Sequence, residues 1–261
     1  MSSPVVSHTV STAQSSGWVW DIALPTRRGV GYTFSSTHTN TDKATEELLA
    51  YVEENSHLDA ADIPAPREIR FEPGYRETFW KNNCVAIGIS AGFIEPLEAS
   101  ALVMIELAAG FVRDELPVTR SHMDLVSKRF NKAFIYRWER IIDFLKLHYV
   151  LSQRSDTAYW MDHRKGEGLS ESLKELLDVW RYRPPQAQDF DSSYEVFPAA
   201  SYQYVLYGMG FASEGSLTRG SQPLSEAYKQ FDQSESLRMK MSKGLPSNRD
   251  LLAKLAEHVS S

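Results

Sequence analysis

The sequence predicts an α+β protein that is mostly helical, on three observations. Two short runs rich in aromatic and β-branched residues flank a Pro-and-Gly turn near the amino terminus. A dense apolar run from Leu97 to Ala109 has the length of a helix. Beyond Gly110, apolar residues recur at helical spacing over roughly eight turns.

Taken in order, Gly17 to Ile22 and Gly31 to Phe34 read as the two strands of a hairpin around Pro25 to Gly29, while Met1 to Gln14 is polar. Thr41 or Asp42 can cap a helix running to about Asn55. Its apolar stripe is Leu48, Leu49 and Val52, and Glu46, Glu47, Glu53 and Glu54 are expected to face water. A Pro-containing loop from Asp62 to Arg67 precedes a short strand near Ile69 to Phe71, and Cys84 to Gly88 reads as a buried apolar strand. Gly92 lies in a turn and a helix starts near Pro96. Only Glu98, Ser100 and Glu106 interrupt its apolar run, so it is expected to be covered on most sides. Met123, Val126, Phe130, Phe134, Trp138, Ile141, Ile142, Leu145 and Tyr149 mark one long core helix. Shorter helices follow at about Ser170 to Trp180, Tyr202 to Gly208, Leu224 to Met241 and Asn248 to Val259, with a polar loop from Gln186 to Ser193.

With 261 residues the chain can bury a substantial core, as one large domain or two modest ones. No apolar run approaches a membrane span, and a net charge of -6 offers no footprint for nucleic acid. The single cysteine, Cys84, precludes an internal disulfide, and no signal-like segment opens the chain, so a reducing cytoplasm is the expected location. The seven histidines show no ligand spacing, so no metal site is expected, and no nucleophile elbow occurs. Nor does a Gly-x-Gly-x-x-Gly follow a strand to hold a dinucleotide pyrophosphate.

What stands out is the strand, turn and helix from Cys84 to Ala101. Its glycines allow a flat ligand close to the backbone, and the first amides of a helix attract an anion or a developing negative charge. From spacing alone Glu98 reads first as a residue that complements the dipole of its helix, with Gly92 only shaping a loop, because capping glutamates are common.

The run Gly92-Phe93-Ile94-Glu95-Pro96-Leu97-Glu98-Ala99-Ser100 closely resembles the active-site segment of flavin-dependent tryptophan halogenases. Upstream, Gly17-Trp18-Val19-Trp20-Asp21-Ile22 resembles the Trp-x-Trp-x-Ile-Pro signature of the same family, with Ala23 in place of the proline. The likeness continues through Arg129-Phe130-Asn131, Tyr136-Arg137-Trp138 and His148-Tyr149-Val150-Leu151 to the stretch from Tyr204 to Phe211. The resemblance implies that Glu98 is the glutamate beside the substrate ring and that the backbone amides of Ser100 and Ala101 bind halide. Ile89, Gly92 and Leu102 then lie against the flavin. Trp18 and Trp20 line the passage between flavin and substrate, and Tyr202, Tyr204, Tyr207 and Phe211 form an aromatic wall for an indole. For the tryptophans and the aromatic wall, simple core packing stands as the alternative.

The resemblance further implies electrophilic halogenation of tryptophan, indole or a related aromatic compound, using reduced FAD from a separate flavin reductase, oxygen, and chloride or bromide. Residues 1–118 would complete a flavin-monooxygenase-like sheet module with the halide loop, and residues 119–261 would form a helical substrate-side module. The family's Gly-rich flavin fingerprint and relay lysine lie before the tryptophan signature, where this sequence has no counterpart; Lys81 does not match the relay position and reads as a surface residue. The expectation is a carboxy-terminal half that is inactive alone and needs an amino-terminal halogenase half, with exposed apolar surface favouring homo-oligomers. A non-catalytic remnant that binds an indole or a protein, and a hydroxylating flavin monooxygenase, are the alternative readings.

Overall fold

A computed structural model of the chain describes residues 5–56, 62–192, 194–214 and 224–259. In chain order the elements are β1 (Val10–Ala13), β2 (Gly17–Ala23), β3 (Arg28–Phe34), α1 (Thr41–Glu54), β4 (Gly74–Tyr75), β5 (Trp80–Lys81), β6 (Cys84–Val85), β7 (Gly92–Phe93), α2 (Ala101–Asp114), α3 (Arg120–Val150), α4 (Ala158–Arg164), α5 (Glu171–Trp180), α6 (Ala199–Gly208), α7 (Ser225–Gly244) and α8 (Asn248–Val259). The expected mostly helical α+β class is the observed one. The elements pack as two compact units, Met1–Pro64 with Gly215–Ser261, and Ala65–Glu214.

In the first unit the expected hairpin forms as β2 and β3. The polar segment before it supplies a further strand, β1, giving an antiparallel sheet of order β1-β2-β3. Trp18 and Trp20 alternate with Val19 and Asp21, so the two tryptophans share one sheet face. Trp20 pairs with Gly31, where any side chain would collide with the indole: a Cβ there would stand 2.2 Å from the ring. The other face receives α1. Tyr51 donates to the buried Asp21 carboxylate at 3.0 Å, and Tyr32 donates to Glu47 at 3.0 Å. Glu47 therefore faces the sheet rather than water, because buried hydroxyls need acceptors. The cap of α1 is Asn40, whose Oδ1 accepts from the Lys43 amide at 2.9 Å, just before the expected Thr41 or Asp42. In the same unit Asn248 of α8 donates to the Val5 carbonyl at 2.8 Å.

In the second unit α3 is the spine. Its buried residues include Val126, Phe130, Phe134, Trp138 and Ile141, which pack with Met104 and Ala108 of α2 and with Phe79 and Trp80. Further along, Phe144 and Leu147 join Leu173 and Trp180 of α5 and Tyr202 and Leu206 of α6. Three expectations fail between residues 69 and 100. Ile69 to Phe71 joins no strand pair among the described residues, since the strand lies later, at β4; the expected strand from Cys84 to Gly88 shrinks to β6, with Cys84 exposed, and gives way to a 3-10 turn at Gly88–Ser90; and Gly92 sits in β7, paired with β4. Apolar content alone does not fix pairing when strands are two residues long. The helix expected near Pro96 opens as a 3-10 turn at Leu97–Ala99, and α2 proper starts at Ala101. One stripe of α2 is covered, but Leu102 and Ile105 lie open, so it is not enclosed on most sides. A short helix, α4, had no clear signal in the sequence.

Candidate active site

The loop before α2 is held by three anchors. Leu97 packs into the α2–α3 core and against the cluster of Tyr149, Tyr159 and Trp160. Glu95 accepts a hydrogen bond from the Tyr149 hydroxyl at 2.5 Å. Burial pushes that hydroxyl far above the ordinary tyrosine range, and the Glu95 charge adds to the effect, so Tyr149 stays a donor. The third anchor is a 3.0 Å contact between Glu98 Oε1 and His148 Nε2. His148 and Tyr149 are consecutive in the last turn of α3 and so hold the loop at two points.

Between these anchors the backbone is strained. Glu98 has φ 63° and Ala99 has φ 49°, consecutive non-glycine residues in the left-handed region. Each costs on the order of 1–3 kcal/mol and persists only where surrounding contacts over-determine it, which happens most often at functional sites. The conformation has a direct product. Glu98 stands at the mouth of α2, with its side chain 38% exposed, and Oε2 has no hydrogen-bond partner among the described residues. Two residues on, Ser100 is buried and Ala101 begins the helix, whose first-turn amides lack intrahelical acceptors and carry the positive end of its dipole. An anion-attracting helix end and a carboxylate with one open oxygen thus sit side by side.

A profile of the tryptophan halogenase family matches residues 1–225. The chain belongs to the tryptophan halogenase family. Among solved halogenases, the tryptophan halogenase of Shewanella frigidimarina is 48% identical and superposes with a TM-score of 0.90, covering 98% of this chain and 48% of that one. BrvH, a flavin-dependent halogenase from Brevundimonas, is 31% identical with a TM-score of 0.78 over 95% of this chain and 48% of that one. The tryptophan 6-halogenase SttH of Streptomyces toxytricini is 34% identical over 203 residues, which make up 78% of this chain and 38% of the relative. The chain spans half or less of the length of these relatives.

Within this chain, Glu98, Ser100, Ala101 and Leu102 are brought together at the start of α2. The Gly88–Ser90 turn packs on the same helix and places Ile89 there, 82% exposed, with Leu102 at 78%. Gly92 has another reason to be glycine: a Cβ would meet the Gly74 carbonyl at 2.7 Å across the β4–β7 pair. Tyr204 and Tyr207 are exposed on α6, whereas Tyr202 is buried in the second core and Phe211 packs against that core. Trp18 is buried and Trp20 half-buried in the other compact unit. Lys81 is exposed. Among the described residues no group of three His, Cys, Asp or Glu side chains is placed to hold a metal, and no helix is long and apolar enough to cross a membrane. A cleft of about 410 Å³ beside Arg140, Asp143 and Ser170 shares no residue with the Glu98 loop.

Sequence reasoning passed over Glu95, His148 and Tyr149 as site residues. The signal available was a His-Tyr pair in the last turn of an amphipathic helix, which has meaning only once a partner loop is known.

Proposed function

We propose that the chain supplies the glutamate and halide part of a flavin-dependent halogenase that acts on tryptophan, indole or a related aromatic ring. The observation that carries this reading is the Glu98 carboxylate, held by strained backbone beside the amino terminus of α2 with Oε2 open. The open apolar side chains Ile89 and Leu102, flanking that helix end, fit the edge of a flat ring system such as the isoalloxazine of FAD. When bound, reduced FAD supplies, with oxygen and chloride or bromide, the oxidised halogen equivalent.

The chain's own residues then have defined tasks. The backbone amides of Ser100 and Ala101 hold the halide through partial positive charge, which leaves the side chains free to vary. Glu98 Oε2 stabilises the cationic ring after halogen addition and takes the proton from the substituted carbon, restoring aromaticity. Tyr204, Tyr207 and Phe211 serve as an aromatic surface for the substrate. Leu102 and Ile105 offer an apolar face to an amino-terminal halogenase half, which supplies the grip on the dinucleotide and the relay lysine. A separate reductase delivers the reduced flavin, and a reducing cytoplasm suits the exposed Cys84.

The test is reconstitution. With reduced FAD, oxygen, bromide and indole or tryptophan, the pure chain is expected to yield no brominated product by mass spectrometry. Adding the amino-terminal half of the Shewanella relative is expected to produce it. Absence of product in the reconstituted mixture, with both parts folded and associated, would overturn the reading.

A further inference from the structure

We infer that His148 is a positioning residue for Glu98, holding one carboxylate oxygen and a shared proton so that the other oxygen alone faces outward. The inference rests on the reading of Glu98 as the residue beside the substrate ring. Its support is the hydrogen-bond direction at the imidazole. His148 Nδ1 lies 2.9 Å from the Phe144 carbonyl oxygen, an atom that can only accept, so Nδ1 carries a hydrogen. On the opposite side of the ring Nε2 lies 3.0 Å from Glu98 Oε1. A bare Nε2 against an ionised carboxylate would set two lone pairs face to face. One proton therefore lies between them, whether written as imidazolium with carboxylate or as neutral imidazole with carboxylic acid. In either form Oε1 is committed and Oε2 remains as the outward acceptor.

The imidazole is well held for this task. Its ring stands edge-on to Phe144, with centroids 5.1 Å apart and planes at 89°, and its side chain is 22% exposed. Its neighbour Tyr149 fixes Glu95 at the other end of the same loop. Without the His148 tether the left-handed turn at Glu98 is held by Leu97, Glu95 and the Ala99 N–H to Pro96 carbonyl bond at 3.1 Å, none of which fixes the carboxylate, and the side chain is free to turn into solvent. Misplacing an acting group by about 1 Å costs on the order of 100-fold in rate, so the tether bears on rate rather than on substrate affinity.

The experiment is imidazole 15N NMR on the full chain in three forms: unaltered, Glu98→Gln and His148→Gln. Loss of one signal set in His148→Gln identifies the residue. The expected result is a protonated Nδ1 in all forms that retain His148, with an Nε2 resonance that moves in Glu98→Gln while Nδ1 and the surrounding backbone amides stay in place. A bare Nδ1, or an Nε2 resonance unchanged by Glu98→Gln, overturns the inference. Backbone amides of α3 that shift as widely as Nε2 also overturn it, because the contact would then be one part of general packing. In the reconstituted halogenase, His148→Phe is expected to lower kcat about 10-fold to 100-fold at unchanged KM, and His148→Gln, which keeps a donor, to lose less. Equal kcat in His148→Phe and the unaltered protein overturns the positioning role. Full activity in Glu98→Gln instead removes the reading of Glu98, an outcome the NMR result does not depend on.

Discussion

In its amino-terminal half α3 holds the Phe79–Trp80 backbone through Asn131, whereas in its last turn it holds the Glu95–Glu98 loop through His148 and Tyr149. At the first place Asn131 Oδ1 accepts from the Phe79 and Trp80 amides, both at 2.8 Å, and Nδ2 donates to the Trp80 carbonyl at 2.9 Å. Every group is neutral, and no member of that clamp is left with work to do elsewhere. At the second place the loop side supplies two carboxylates, and one oxygen of Glu98 is left open. The same helix thus serves two ends: saturation of backbone groups gives stability, and partial saturation of ionisable side chains leaves an acceptor oxygen open.

The contrast yields predictions of decreasing size. Glu98→Gln should lower halogenation by the reconstituted enzyme on the order of 10²-fold to 10⁴-fold. Because Glu98 is exposed, its melting temperature should stay within about 2 °C of the unaltered protein. A large fall in melting temperature would make the second place structural like the first. Asn131→Leu should do the reverse, leaving two amides and a carbonyl without partners and costing about 2–4 kcal/mol, or roughly 5–10 °C in a thermal melt. That loss should be the same at pH 5 and pH 8, as no titrating group is involved.

A pH-sensitive control lies at Asp189, whose side chain is 4% exposed. Burial works to raise its pKa, but hydrogen bonds from Arg183, Trp180 and the Gln186 amide outweigh it and hold the group at about 2. A depressed carboxyl contributes stability that is present above the ordinary value of 3.8 and is lost as pH falls toward 2. The expected loss is about 2 kcal/mol across that window, and Asp189→Asn should flatten it in urea titrations at stepped pH. Smallest is Tyr149→Phe, which removes one donor to Glu95 and should cost about 1–1.5 kcal/mol. It should reduce turnover less than Glu98→Gln does, and an equal reduction would make Glu95 rather than Glu98 the residue to pursue.

The sequence made some of this plain and hid the rest for definable reasons. The β2–β3 hairpin and α3 were legible because turn residues and a sustained 3.6-residue period are local signals. Of the strands between Gly74 and Phe93 only β6 fell within an expected strand, since each has two residues, too few for a periodic signal, and the partner of β4 lies some seventeen positions on, in β7. Glu98, Ser100 and Ala101 came from a family resemblance; spacing alone left Glu98 as an ordinary first-turn carboxylate. Its left-handed backbone has no local signal, because glycine or asparagine would be expected there. His148 was hidden because fifty positions separate it from Glu98.

That backbone also bears on the order in which the protein assembles. Left to itself, the stretch from Glu98 to Ala99 favours right-handed or extended conformations, so it gains its native shape only after Leu97 has docked and the last turn of α3 is in place. Formed late, it is also readier to open than the core: amide hydrogens around Glu98 should exchange with solvent through brief local excursions, at a lower free energy than those of Phe130 or Ile141. A mild rise in temperature would then disable the carboxylate while the helical core below it is still intact.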